Sequence, residues 1–256
     1  MEIRALGNTG IRVSVLGLGT VKLGRNQGLN YPQNFAIPEL KSARRLIDTA
    51  SELGINLLDT APAYGTSEAR LGAVISGQRR KWVLTTKVGE SFQDGQSKYR
   101  FDPNFVRASV GRSLENLRTD YLDVVLIHSD GEDVAILESS GALECLQDLK
   151  RRGLIRAIGI SHKSVEGAER AIGLGCDVIM ASLSLEAPEQ QPVIARAAEL
   201  GCGVLVKKAL ASGRAGVDSL QFAAASPGVS AVVVGTINPQ HLAANAAAVE
   251  NLKPIK

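Results

Sequence analysis

With 256 residues, 45% hydrophobic and 21% charged, the chain has the length and composition of one large globular domain, not a disordered or fibrous chain. The net charge is only +3, and the positive residues are scattered apart from short clusters at 79–81 and 150–152. Helix-end solvation accounts for both clusters, and no basic stripe with stacking aromatics is present to suggest a nucleic-acid surface. No apolar run approaches the ~20 residues that span a bilayer, and no charged start leads into a secretory leader. Cys145, Cys176 and Cys202 lack CxxC spacing, so buried packing in a reduced, cytoplasmic setting is expected.

Residues 3–6 and 11–13, joined by a Gly7–Gly10 turn, read as a β-hairpin ahead of everything else. Short β-rich runs then follow at 15–18, 56–58, 82–86, 123–127, 157–160, 178–181, 204–206 and 231–234. Helical patterns alternate with them at 38–53, 67–75, 103–117, 141–151, 164–172, 192–200, 220–225 and 239–249. Asp102-Pro103, Ser67 with Glu68, and Asn238-Pro239 mark helix starts. Gly54, Gly153, Gly175 and Gly201 stand where helices hand over to strands. Eight βα units predict an α/β fold, a closed (β/α)8 barrel whose bottom the hairpin caps, with residues 1–256 as one domain. Three stretches, 20–37, 89–102 and 129–136, read as loops on the catalytic side.

Four polar residues follow apolar strand runs: Asp59 after INLL, Tyr64 just beyond it, Lys87 after WVLTT and His128 after VVLI. An acid, a phenol, an amine and an imidazole thus gather at the carboxyl ends of parallel strands, the edge where barrels place their chemistry. Taken singly, each could be an ordinary strand-end polar residue; together they predict a site.

The wording around them has a family resemblance. LDTAPAYGTSEARLG at 58–72, TTKVG at 85–89, LIHSD at 126–130 and IGIS at 158–161 resemble the aldo-keto reductase superfamily. The opening LGNTGIRVSVLGLGT at 6–20 and closing VVVGTINPQHLAAN at 232–245 are similar as well, so the likeness runs nearly end to end in order. It implies a (β/α)8 barrel and reversible hydride transfer between NAD(P)H and a small-molecule carbonyl, with Asp59, Tyr64, Lys87 and His128 as a catalytic tetrad. The chemistry independently wants these groups. A tyrosine with an ordinary pKa near ~10 is a slow acid alone, and an adjacent ammonium is expected to pull that value down. Asp59 would hold Lys87 charged, and His128, as a neutral donor, would stabilise the developing oxyanion.

The resemblance also implies cofactor contacts. Ser161 and His162 match a Ser-Asn pair that grips the nicotinamide carboxamide, with His in place of Asn. Met180 stands where the family usually has Gln, and Lys207 where it usually has a stacking aromatic; Lys207 is expected to face phosphate or form a salt bridge. Lys208, Leu210, Ser212 and Gly213 continue the pyrophosphate loop, and Thr20 lies at the first strand end. Thr236, His241 and Asn245 fall where the adenosine 2′-phosphate would be held; His241 replaces an Arg and is a weaker, pH-dependent phosphate partner. NADP is favoured and NAD stays open. No GxGxxG opens a βαβ unit, which argues against a Rossmann module, and no metal site is read.

Two other functions fit parts of this pattern. A Schiff-base aldolase could use Lys87 or Lys207, leaving Tyr64 and His128 without a joint role. An NADP-binding regulatory subunit would share fold and motifs. The substrate is not legible: Phe92, Tyr99 and Phe101 could reach the pocket or cover its rim. The brief segment after Gly213 predicts a pocket open on that side.

Overall fold

The structure is a computed structural model that describes residues 1–250 and Leu252. β1 (Ile3–Ala5) and β2 (Arg12–Ser14) form the leading antiparallel hairpin, Ile3 opposite Ser14. Next come β3 (Leu16–Gly19), α1 (Leu40–Glu52), β4 (Leu57–Asp59), α2 (Ser67–Val74) and β5 (Val83–Val88). A second hairpin, β6 (Glu90–Gln93) with β7 (Gln96–Tyr99), precedes α3 (Pro103–Leu117) and β8 (Leu122–His128). The chain continues through α4 (Asp133–Ser139), α5 (Ala142–Arg151), β9 (Ile155–Ser161), α6 (Val165–Gly173) and β10 (Val178–Ser182). It ends with α7 (Gln191–Glu199), β11 (Gly203–Lys207), α8 (Val217–Ala225), β12 (Ala231–Gly235) and α9 (Pro239–Glu250).

Eight of these strands, β3, β4, β5, β8, β9, β10, β11 and β12, close in that order into a parallel ring. The seam pairs Val232 with Leu16 and Gly235 with Gly19, joining the two ends of the chain. Buried on both faces, ring strands read as continuous Val/Ile/Leu runs, which is why their positions stood out. Leu6, Ile11 and Val13 of the hairpin region pack with Leu57, Val124, Leu126, Val178 and Leu205 in one apolar cluster inside the barrel. The hairpin therefore plugs the bottom, as its place in the sequence suggested. A larger aliphatic cluster lies between ring and helices.

Local signals act as expected in most places. Asp102 Oδ1 accepts from the Phe105 amide at 3.0 Å and Asn238 Oδ1 from Gln240 at 2.8 Å, capping α3 and α9. The handover glycines 54, 153, 175 and 201 all have φ between 73° and 79°, the left-handed region that ends helices cheaply.

Some readings are corrected. Ser67 does not cap α2; its hydroxyl donates to the Thr20 carbonyl at 2.8 Å and ties the helix to the end of β3. The stretch 129–136, read as loop, begins α4, a seven-residue helix held from outside. Its Asp133 carboxylate accepts from Ser164 N at 2.8 Å and Ser164 Oγ at 2.7 Å. The loop 89–102 contains β6 and β7. Helix-end solvation also fails for two cations. Arg79 donates to the buried Asp123 at 2.7 Å and to the Tyr121 carbonyl, and Lys150 to Asp177 at 2.6 Å. Both clamp neighbouring strands.

Candidate active site

Asp59 ends β4, Lys87 lies one residue from the end of β5, and His128 ends β8. Parallel neighbours in register bring these three to one edge of the ring. Tyr64 arrives from a short 3-10 turn, Pro62–Tyr64, that Pro62 starts and Gly65 (φ 62°) ends. Lys87 Nζ donates to Asp59 Oδ1 at 2.7 Å, to Oδ2 at 2.9 Å and to the Thr60 carbonyl at 3.0 Å, all below the surface. Three acceptors meet the three protons of one ammonium, the condition for tolerating a charge in so dry a place. The same Nζ stands 4.9 Å from the centroid of the Tyr64 ring, and the His128 ring packs edge-on against Tyr64 with centroids 6.3 Å apart.

Burial alone would drag the Lys87 ammonium down, but Asp59 and Tyr64 beside it raise its pKa above the ordinary value. Tyr64 behaves differently from expectation. Burial pushes the phenol up to about 12, and Lys87, although it pulls the other way, does not overcome the loss of solvent. The phenol is a proton-holding acid in this state.

Glu90, which opens β6, is a site residue that the sequence did not reveal. Its Oε2 lies 2.7 Å from His128 Nδ1, an ion-pair distance reached at an angle too bent for a regular hydrogen bond. Its Oε1 accepts from Ser97 Oγ at 2.5 Å and from Arg25 Nη1 at 3.4 Å. Nothing local marks it: a Glu in a polar stretch becomes notable only because a hairpin turns it inward. Burial raises the Glu90 pKa, but His128, Ser97 and Arg25 bring it down to about 2.

Tyr64, Asp59, His128 and Glu90 open into a cleft of about 750 Å³, ample for a cofactor and a small substrate. Lys207, Lys208, Leu210, Ser212, Gly213, Thr236, His241 and Asn245 line its other half, together with the segment 28–33 after β3. The turn carrying Lys208, Ala211, Ser212 and Gly213 holds φ values of 62°, 43°, 59° and 90°. Such unusual backbone concentrates at functional sites. Arg214 donates to the Asn30 carbonyl at 3.1 Å and to Asn30 Oδ1 at 3.0 Å, so a bridge crosses the side that was expected to be open.

Four expected cofactor residues, Thr20, Ser161, His162 and Met180, do not line the cleft. Thr20 is buried, its hydroxyl donating to the Asp59 carbonyl at 2.9 Å and accepting from Ser67, so it supports the floor without lining the cleft. Met180 packs in the apolar interior with Val178 and Leu205, because alternate residues of β10 point inward. Lys207 neither forms a salt bridge among the described residues nor stands free for phosphate. Its Nζ donates to Ser161 Oγ at 2.7 Å and to the His162 carbonyl at 2.9 Å. Burial first, then repulsion from Lys208 and Lys87, lowers it to about 7. The Thr236 hydroxyl accepts from the Asn238 amide at 3.1 Å, which engages it in the turn before α9. His162 Nδ1 meets the Ser164 carbonyl at 3.0 Å, while its buried Nε2 has no partner. Phe92 lies 3.5 Å under the Arg25 guanidinium, and Tyr99 stacks on Phe101; none of the three aromatics lines the cleft.

Comparison with known proteins agrees with this architecture. A Pseudomonas aeruginosa protein whose crystal structure carries the aldo-keto reductase name superposes with a TM-score of 0.89 at 49% identity, covering 96% of this chain and 93% of that one. The holo form of aldo-keto reductase AKR11C1 from Bacillus halodurans gives 0.86 at 27% identity, covering 100% and 93%. The oxidoreductase YqkF of Bacillus subtilis is 34% identical over 63% of this chain and 49% of its own length. The chain spans about half the length of the curated relatives it matches first. The model of the Aldo/keto reductase family matches residues 15–216, most of the barrel. With barrel, strand-end site and family pattern coinciding, this chain belongs to the aldo/keto reductase family.

Proposed function

We propose that the chain, acting as one domain over residues 1–256, interconverts a small carbonyl compound and its alcohol with a nicotinamide cofactor, NADP in preference to NAD. The observation that carries this reading is the Asp59–Lys87 pair buried beside the Tyr64 phenol at the floor of a cleft sized for two small molecules. The cofactor, when bound, supplies the hydride.

The protein groups divide the remaining work. Tyr64 keeps its proton at neutral pH because burial holds its pKa up, and delivers it to an oxygen that has become far more basic than a carbonyl. Lys87 then stands 4.9 Å from the phenolate ring it helps to stabilise, and Asp59 keeps that ammonium charged and aimed. The residues suited to the cofactor follow from their free atoms. His162 Nε2, buried and unpartnered, fits an amide donor. Lys208, Leu210, Ser212 and Gly213 belong to the strained turn that lines the cleft, and Thr236, His241 and Asn245 line it as well. Lys22 and Lys208 give the lining a cationic excess, since Asp59 is paired with Lys87 and Glu90 with Arg25 and His128. This excess supports the cofactor with the additional phosphate.

The test is NAD(P)H absorbance against a panel of aldehydes, ketones and sugars, with Tyr64→Phe as the decisive variant. Turnover should fall ~10²–10⁴-fold while cofactor binding survives, because only the proton donor is lost. Near-normal reduction by the variant would overturn the assignment of Tyr64, and equal affinity for NADH and NADPH would remove the NADP preference.

A further inference from the structure

The contact between Glu90 and His128 decides which nitrogen of the imidazole holds a proton. Glu90 is 6% exposed and fixed from behind by Ser97 and Arg25, so its Oε2 cannot swing away without leaving both. A carboxylate oxygen 2.7 Å from Nδ1 repels a lone pair on that nitrogen and attracts a proton there, whether the ring is neutral or charged. In the neutral ring the second nitrogen, Nε2, is then bare. His128 lines the cleft with about a fifth of its side chain exposed, and since its Nδ1 is fully buried against Glu90, Nε2 is the nitrogen left to face the cleft. A bare nitrogen accepts from a hydroxyl and cannot donate to a carbonyl oxygen.

Resting on the carbonyl–alcohol reading above, we propose that Glu90 is a positioning residue: it pins the His128 proton on Nδ1, so the cleft-facing Nε2 accepts from an alcohol when the ring is neutral and donates to a carbonyl oxygen only as imidazolium. The proton that reaches the product oxygen still comes from Tyr64, and His128 changes only which hydrogen bond it offers. Every charged neighbour of the ring bears on the balance. Glu90 on β6 favours the imidazolium, while Lys87 on β5 and Lys207 on β11 oppose it; Tyr64 meets the ring edge-on as a neutral phenol. Burial is the largest influence and leaves the His128 pKa below its ordinary value. The accepting state therefore prevails at neutral pH, and carbonyl reduction gains as the medium becomes more acidic. On this proposal His128 is not the neutral donor that the sequence suggested.

Only three histidines are present, so imidazole 15N spectra can be assigned with His128→Asn. The full-length protein labelled on histidine is titrated from pH 8 to pH 5, as wild type, Glu90→Gln and Glu90→Asp. Wild-type neutral His128 should carry its proton on Nδ1. Glu90→Gln should raise the share of the Nε2-protonated form and lower the titration midpoint, and Glu90→Asp should restore the wild-type tautomer in part. In kinetics, wild-type reduction should fall about tenfold per pH unit above the His128 midpoint, and Glu90→Gln should flatten that slope. The spectra need no turnover, so failure of the carbonyl–alcohol reading would register separately, as absent NAD(P)H oxidation by the wild type. A neutral wild-type His128 protonated on Nε2, or a Glu90→Gln spectrum and slope unchanged from wild type, would overturn the proposal.

Discussion

At the end of β11 an amine rests against Ser161 and His162, with no carboxylate among the described residues at ion-pair distance. The folded chain holds Lys207 near a pKa of about 7, against an ordinary 10.5. Between those values the unfolded state binds the extra proton, so this residue makes stability rise with pH from about 7 to about 10.5 and contributes its full penalty below 7. Lys207→Met should therefore resist urea better than wild type at pH 7, and the gap should close toward pH 10; a gap independent of pH would show that the amine is not the cause. The residue also illustrates what sequence can disclose. Asp59, Lys87 and His128 were legible because a polar residue closing an apolar strand run has few structural reasons to be there. The partner of Lys207 was not legible, since Ser161 lies 46 positions away and only the ring closure brings them together. Tyr64 showed the same limit in its energetics: the neighbouring cation could be inferred from sequence, but the burial that outweighs it could not.

The hairpin of β6 and β7 carries Glu90 into the candidate site without contributing to the proposed tetrad. It leaves β5 through Gly89, whose φ of 103° no other residue adopts comfortably. A Cβ there would meet Phe101 Cε1 at 2.3 Å. Gly89→Ala should cost roughly 1–3 kcal/mol in urea unfolding and displace the hairpin, moving Glu90 away from His128. The expected signature is a changed His128 15N resonance with the Asp59–Lys87–Tyr64 side of the site intact; an unperturbed resonance would mean that the hairpin yields elsewhere. The ring strands and their alternating helices declared themselves in sequence through unbroken aliphatic runs and capping residues. Hairpin β6–β7 did not, because Ser, Gln, Asp, Gly and Lys dominate it and it lies outside the ring. Helix α4 was hidden for a related reason: seven residues make too few turns for a periodic signal, and the contact that holds it, Asp133 to Ser164, is tertiary.

Across the whole molecule, stability and chemistry occupy opposite ends. The plug of Leu6, Ile11 and Val13 fills the bottom, while the cleft lies beyond the carboxyl ends of the strands. Leu6→Ala should open a cavity and cost about 2–5 kcal/mol, seen as a lower urea midpoint with an unchanged slope, while turnover below the transition stays near wild type. A comparable loss of activity in the fully folded variant would show that the two ends are coupled. The ring that separates them has a further property. Pairing runs from β3 around to β12 and back through the Val232–Leu16 seam, leaving no terminal strand to peel away. Amide protons in a sheet with free borders trade with solvent as those borders fray; here the strand amides beside Lys87 have no such border, and their exchange with solvent awaits rupture of the ring itself. The lifetime of those amide protons and the global unfolding free energy are, in that sense, one quantity.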